Sequence, residues 1–173
     1  MTRSRNGNVH YGLAAALEER GDDEGALEHA LDALRLYRTG TSKMQLAQGH
    51  AAVGWCSAKI GLHEQAREYG EKALELFHGL GSVESEASVL DTLGLAAHGT
   101  GDHALAIQRY QQALAQFREV GASTHEADVL LRLSEVLLAS GDRVEARATF
   151  TQARGLFLKQ GRTTEAHRVA KLL

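Results

Sequence analysis

Nine histidines are the residues of this sequence best suited to metal chemistry. A metal site on a helix needs ligands three or four residues apart, with carboxylates nearby. His98 and His103 are instead five residues apart across a glycine, and no His-Glu-x-x-His segment occurs. We therefore interpret the histidines as surface or partly packed side chains, and we predict no metal site.

Cys56 is the only cysteine, so neither an internal disulfide nor a cluster of thiolate ligands can form. It lies beside Trp55 with no nucleophile motif around it, which is typical of a small buried thiol. The sequence has no Gly-x-Ser-x-Gly, no phosphate-binding loop and no Gly-x-Gly-x-x-Gly. We predict a protein without enzymatic activity and without a cofactor. The single free thiol favours the reducing cytoplasm.

The composition of the chain argues against two classes of binding partner, nucleic acids and membranes. The 173 residues carry 19 Lys and Arg against 22 Asp and Glu, a formal net charge of −3, whereas nucleic-acid-binding domains are usually basic. No apolar run approaches the roughly 20 residues that a membrane span needs. We therefore predict neither direct nucleic-acid binding nor membrane insertion. The chain has 18 glycines and no proline, so glycine must make its turns.

Several residue types recur every 40 residues, beginning with Gly21, Gly61, Gly101 and Gly141. A constant lag of this length indicates a repeat array. Four such repeats and part of a fifth fill the chain. The other recurring columns are alanines at 26, 66, 106 and 146 and at 33, 73, 113 and 153, aromatics at 37, 77, 117 and 157, and alanines at 47, 87 and 127.

Each repeat has the pattern of two helices. Asp22, Asp102 and Asp142 follow the turn glycine, where an aspartate caps a helix well. Ser42 with Gln45 and Ser123 with Glu126 resemble capping boxes that begin the next helix. Apolar residues keep helical spacing throughout and never alternate with period two, so no strand is expected.

These columns resemble the tetratricopeptide repeat, in which a first helix carries Leu-Gly, a glycine makes the turn, and a second helix carries Ala, an aromatic residue and Ala. The third repeat matches most fully, with Leu93-Gly94, Gly101, Ala106, Tyr110 and Ala113. The second repeat has Gly70 at the aromatic position. The resemblance implies an all-α fold, a solenoid of four helix-turn-helix repeats with a C-terminal capping helix.

The domain boundaries follow from the repeat register. We predict an N-terminal tail over residues 1–7 and one domain over residues 8–173. Its repeats cover about 8–41, 42–81, 82–121 and 122–161, and a capping helix covers 163–173 with Val169 and Leu172 facing inward. The tetratricopeptide repeat usually has about 34 residues, so the extra residues lengthen the helices, and the aromatic column packs in that extension. This longer form resembles the sensor regions of bacterial antibiotic regulatory proteins and the long repeats of eukaryotic scaffold proteins.

The resemblance implies that the first helix of each repeat lines a concave surface. Residues around Leu-Gly then face a groove that contains two aromatic side chains and three carboxylates. Trp55 is either a peptide anchor or a packing residue between neighbouring helices. The carboxylates favour a ligand with basic residues. The candidate groove residues are Asn8, Tyr11, Ala15, Gln48, Trp55, Lys59, Asp91, Leu95, His98, Asp128, Leu131 and Glu135.

We predict a module that binds a protein or peptide, as the sensor or interaction part of a bacterial regulatory protein. The alternative is self-association, a homodimer formed through the last helix or through the apolar ends of the second helices. An enzyme that uses Cys56 or a histidine pair is a remote third possibility.

Overall fold

The computed structural model describes the backbone of residues 2–171 and the side chains of residues 5–171. Within this part of the chain every regular element is an α-helix. The helices are α1 (Thr2–Glu19), α2 (Asp23–Tyr37), α3 (Lys43–Lys59), α4 (His63–Leu80), α5 (Val83–Gly99), α6 (His103–Glu119), α7 (Ser123–Ala139), α8 (Arg143–Lys159) and α9 (Thr163–Ala170). None of them combines the length and the hydropathy that crossing a bilayer requires.

The helices stack in chain order as a solenoid of four hairpins followed by α9. Each helix packs against the next one, and the first helices of neighbouring repeats also touch, as in α1 with α3, α3 with α5 and α5 with α7. No residue of the recurring alanine columns is more than 1% exposed, because the helices cross closely at these positions. The predicted all-α solenoid is confirmed.

Glycine makes the tight turn inside each hairpin. Gly21, Gly61, Gly101 and Gly141 have φ between 78° and 93°, a left-handed conformation that only glycine adopts without strain. The aspartates that follow three of these glycines accept hydrogen bonds from backbone N–H groups: Asp22 from Gly25 at 3.0 Å, Asp102 from Leu105 at 3.0 Å and Asp142 from Glu145 at 3.1 Å.

One of the two predicted capping boxes is wrong. Ser42 accepts a hydrogen bond from the Gln45 N–H at 3.2 Å, as expected. Ser123, however, is the first helical residue of α7, and the N-cap residue is Ala122, which provides no side-chain cap. Glu126 is not available to complete a box there, because it pairs with Arg118 at 2.6 Å.

The predicted tail is also corrected for residues 2–7, because α1 begins at Thr2. The cause is packing against the aromatic column: a Cβ on Gly7 would lie 2.7 Å from Cε1 of Tyr37. The Tyr37 hydroxyl also donates to Asn8 Oδ1 at 2.9 Å. These contacts hold the beginning of α1 on the second helix of its own repeat.

The chain's other end partly follows the prediction. Helix α9 covers the fourth repeat, and its Val169 is fully buried. Leu172, predicted to face inward beside it, lies outside the described residues. The aromatic column of Tyr37, Phe77, Phe117 and Phe157 is at most 3% exposed, so it packs in the core as expected.

Candidate functional site

A groove of about 450 Å³ runs across the first helices of the four repeats. Its lining combines alanine, valine and aromatic side chains with hydroxyl, amide, imidazole and charged groups. Its lining residues are Tyr11, Ala14, Ala15 and Glu18 of α1; Gln48, Ala51, Ala52, Trp55 and Cys56 of α3; Phe77 of α4; Ser85, Ser88, Val89, Asp91 and Thr92 of α5; Phe117 of α6; and His125, Asp128 and Arg132 of α7.

The indole of Trp55 is held in place from the neighbouring first helix. Its Nε1–H donates to Glu18 Oε1 at 2.6 Å. Lys59 Nζ lies 3.6 Å from the same carboxylate oxygen and 2.7 Å from Asp23 Oδ1. Trp55, a residue of α3, is therefore joined to α1 by the hydrogen bond of its indole N–H. Its half-buried ring forms part of the groove wall.

Arg132 and Asp91 form a paired charge in the same wall. Arg132 Nε donates to Asp91 Oδ1 at 2.8 Å, and its Nη2 donates to Oδ2 at 2.5 Å. The guanidinium carbon lies 5.8 Å from the centre of the Trp55 ring. Burial raises the pKa of the Asp91 carboxyl, and the Arg132 guanidinium lowers it in part. Two-point pairing of this kind fixes both side chains.

Asp128 also has an arginine partner, because Arg162 donates to its two carboxylate oxygens at 3.1 and 2.8 Å. The same guanidinium lies 4.6 Å from the centre of the Phe157 ring. The third predicted carboxylate, Glu135, is not a lining residue, and burial raises its pKa. The expected attraction for basic ligands therefore does not follow from these carboxylates, two of which are neutralised from within the protein.

Three polar side chains of the groove have no hydrogen-bond partner within the described residues: Tyr11, Gln48 and His125. The His125 ring stacks on Phe117 with centroids 5.0 Å apart and planes 11° from parallel. Burial raises the pKa of the Tyr11 hydroxyl, which favours its protonated, hydrogen-bonding form. Together they offer a phenol, an amide and an imidazole to a ligand in the groove.

About half of the predicted groove residues line the groove: Tyr11, Ala15, Gln48, Trp55, Asp91 and Asp128. Asn8 instead accepts hydrogen bonds from Tyr37 and Gln45, and Lys59 is in ion pairs. Leu95 packs on a small cluster of Ala58, Ala66 and Ala96, and Leu131 is buried in the core. His98 lies beside His103, with their Nδ1 atoms 3.4 Å apart.

Sequence reasoning missed Glu18, His125 and Arg132. On α7 the lining residues stand at 125, 128 and 132, whereas the predicted stripe used 128, 131 and 135. The observed stripe thus lies closer to the beginning of the helix. Residues three or four apart share one face of a helix, so His125 lies three residues before Asp128 on this face and Arg132 lies four residues after it.

Comparison with known proteins agrees with this architecture. A family model described as tetratricopeptide repeat matches residues 85–159. No curated protein matches the sequence significantly.

The similar solved structures are repeat proteins of low sequence identity. Aspartyl phosphate phosphatase F from Bacillus subtilis has 15% identity and a TM-score of 0.79 over 92% of this chain and 42% of its own. The Rap conjugation gene regulator of plasmid pLS20, solved with the Phr* peptide, has 20% identity and a TM-score of 0.75 over 96% and 45%. A putative kinesin light chain with TPR-like repeats from Podosopora anserina has 16% identity and a TM-score of 0.73 over 99% and 94%.

The fold is that of a tetratricopeptide-repeat solenoid. The chain spans about half the length of the two bacterial proteins and nearly all of the kinesin light chain fragment. The resemblance in fold is therefore to the Rap proteins and to kinesin light chain, and not to antibiotic regulatory proteins in particular.

Proposed function

We propose that this chain is a non-enzymatic module that binds a peptide, or a peptide segment of a protein, in the groove across α1, α3, α5 and α7. The observation that carries the proposal is that the groove contains two kinds of polar side chain, paired and unpaired. Its charged groups are neutralised by partners within the protein, while Tyr11, Gln48 and His125 stay free beside apolar surface.

That combination suits the chemistry of an extended peptide. A peptide backbone offers N–H and C=O groups, which an amide, a phenol and an imidazole can pair with. Apolar side chains of the peptide can pack on the half-buried ring of Trp55 and on Ala51 and Ala52, which are partly exposed in the groove. The volume lies within the range of about 300–1,000 Å³ that ligand pockets occupy.

The wider setting that we propose is the sensor or interaction part of a bacterial regulatory protein, working in the cytoplasm. Support comes from the fold of the pLS20 regulator, which was solved with a peptide bound. The phosphatase activity named for the Bacillus subtilis protein is not part of the proposal, because this chain covers 42% of that protein.

The proposal is tested by blocking the groove with a large side chain and measuring whether the variant still binds peptides. Peptides selected from a library of short linear sequences should bind the wild-type chain and should change the fluorescence of Trp55, the only tryptophan. Ala15→Phe places a ring in the groove from an exposed position of α1 and should abolish both signals. Ala115→Phe, at an exposed position of α6 outside the groove, is the matched control and should bind like wild type.

Equal binding by both variants would contradict the groove assignment, because the peptides would then bind elsewhere.

Self-association is a second candidate function, and one observation favours it. Val144 is 83% exposed and Leu138 is 45% exposed, and both border the same hollow at the turn between α7 and α8. Val169 of the last helix is fully buried and cannot supply such a surface. Light scattering over a range of concentrations should show a dimer that Val144→Lys disperses. A monomer at every concentration would rule it out.

A further inference from the structure

His10, His29 and Asp32 converge at the first hairpin of the array, away from the groove. Nδ1 of His10 lies 3.0 Å from Nδ1 of His29 and 3.6 Å from Oδ2 of Asp32. One ligand atom from each residue lies within 4.8 Å of the other two. In the part of the chain that the structure describes, this is the one group of three or more such side chains that is compact enough to hold a metal ion.

The spacing suits a tetrahedral transition-metal ion. Metal–ligand distances of about 2.0–2.1 Å place neighbouring ligands of a tetrahedron about 3.3 Å apart, between the two separations measured here. Two imidazoles and one carboxylate are a donor set that Zn²⁺ and similar ions accept. Three protein ligands leave a fourth position for water.

The carboxylate is already oriented for this role. Arg35 Nη2 donates to Asp32 Oδ1 at 2.8 Å, so the other oxygen, Oδ2, faces His10. A hydrogen bond to the second oxygen of a carboxylate ligand is a common way to hold that ligand in place. His29 and Asp32 are also three residues apart on α2, which puts both on one face of that helix.

The repeat register shows that these ligands are particular to the first hairpin. The positions of His10, His29 and Asp32 are occupied in the second repeat by His50, Tyr69 and Lys72. There the two rings pack with centroids 5.6 Å apart, and Lys72 lies 5.3 Å from the Tyr69 ring centre. In the third and fourth repeats the first position holds a buried leucine, Leu90 or Leu130. In the second, third and fourth repeats, packed side chains therefore occupy the positions that hold potential metal ligands in the first repeat.

We propose that His10, His29 and Asp32 form a Zn²⁺-type metal site that joins α1 to α2. Such a site would tie the two helices of the first hairpin together. The ion would act as a structural clamp there, independent of peptide binding in the groove.

The test is calorimetric titration of the full chain with Zn²⁺ in a buffer that does not bind metal. Wild type should bind one ion per chain, and His29→Gln should weaken binding by at least about tenfold, the effect that loss of even a supporting residue can have at metal sites. The matched control is His103→Gln, which breaks the other close histidine pair, His98 with His103, and should leave binding unchanged.

Two further measurements guard against misfolding and against binding by scattered surface histidines. Asp32→Asn should also lose the ion while keeping the circular dichroism of the wild type. Co²⁺ in place of Zn²⁺ should give the visible absorption of a four-coordinate site in wild type and not in His29→Gln. Equal affinity of wild type and His29→Gln, or a loss that follows His103→Gln instead, would overturn the proposal.

Discussion

The two halves of the solenoid share one register but pack differently. From Ala87 to Val169 a single cluster of buried apolar residues continues through the third and fourth repeats. The first two repeats pack in three smaller clusters, around Leu34, Phe77 and Ala66, and the last two of these also include residues of α5. Polar contacts add to the packing there, including the hydrogen bond from the Tyr37 hydroxyl to Asn8. The same repeat geometry is therefore reached by a continuous core in one half and by a divided core in the other.

Two columns account for much of this difference. The column that begins at His10 continues as His50 and then as Leu90 and Leu130, so it becomes apolar along the chain. The column that begins at Ala30 continues as Gly70, Tyr110 and Phe150, so it becomes large and aromatic. The family model matches residues 85–159, the segment in which both columns hold their large apolar residues. Strong family resemblance thus coincides with the continuous core.

The largest expected effect concerns that continuous core. Phe117 is 1% exposed, and His125 stacks on its ring. Phe117→Ala should lower the free energy of unfolding by about 3–5 kcal/mol, the usual cost of emptying a fully buried aromatic site. Urea denaturation followed by circular dichroism measures the change.

The matched control is Leu158→Ala at a half-exposed position of α8, which should change stability by less than about 0.5 kcal/mol. Similar losses for both variants would mean that the column at Phe117 does not form the core. Because neighbouring repeats stabilise one another in such arrays, the loss should appear in the unfolding of adjacent repeats as well.

The next effect is a pH dependence of stability that arises from His50, in the half of the molecule with the divided core. Burial, together with the charges of Arg38 and Lys72, lowers the pKa of His50 from 6.5 to about 4. The unfolded chain therefore binds a proton at this residue as pH falls below 6.5, while the folded chain does not until about pH 4. The stability present above pH 6.5 is lost across this window, by up to about 3 kcal/mol for a shift of this size.

His50→Leu, which introduces the residue found at Leu90 and Leu130, should remove that part of the pH dependence. The free energy of unfolding of wild type and variant is compared at pH 7 and at pH 4.5. His167→Leu, at an exposed position of α9, is the control and should keep the wild-type slope. An unchanged slope in His50→Leu would show that His50 binds its proton equally well in the folded and the unfolded chain, which contradicts the lowered pKa.

Local signals made the repeats, the turns and the aspartate caps after the turn glycines predictable, but not the beginning of α7. Gly101 and Asp102 act within one hairpin, so their roles can be determined from a few neighbouring residues. The contacts that shape the groove span longer distances along the chain. Arg132 meets Asp91 of the preceding repeat, because α5 and α7 contact each other in the stack. Gly70 likewise depends on a residue far along the chain: a Cβ at this position would lie 2.7 Å from Cδ2 of Leu93 on α5.

The smallest expected effect is a comparison of two glycine-to-alanine substitutions inside helices of the third and fourth repeats. It tests how closely these helices pack. A Cβ on Gly94 would lie 2.6 Å from Cε1 of Tyr110, a ring that is fully buried and cannot move aside. Gly94→Ala should therefore destabilise the protein by about 1–3 kcal/mol through overpacking, even though alanine favours the helix by up to about 1 kcal/mol.

Gly155 of α8 has open space around it, with no atom within 4 Å of a Cβ built at that position. Gly155→Ala should therefore stabilise the protein by up to about 1 kcal/mol, since the helix propensity remains without a clash. The two variants introduce the same methyl group, so opposite signs in urea denaturation would isolate the contact between Gly94 and Tyr110. Stabilisation by both would mean that α5 and α6 do not approach each other so closely, and the tight, continuous core of the second half would lose its main geometric support.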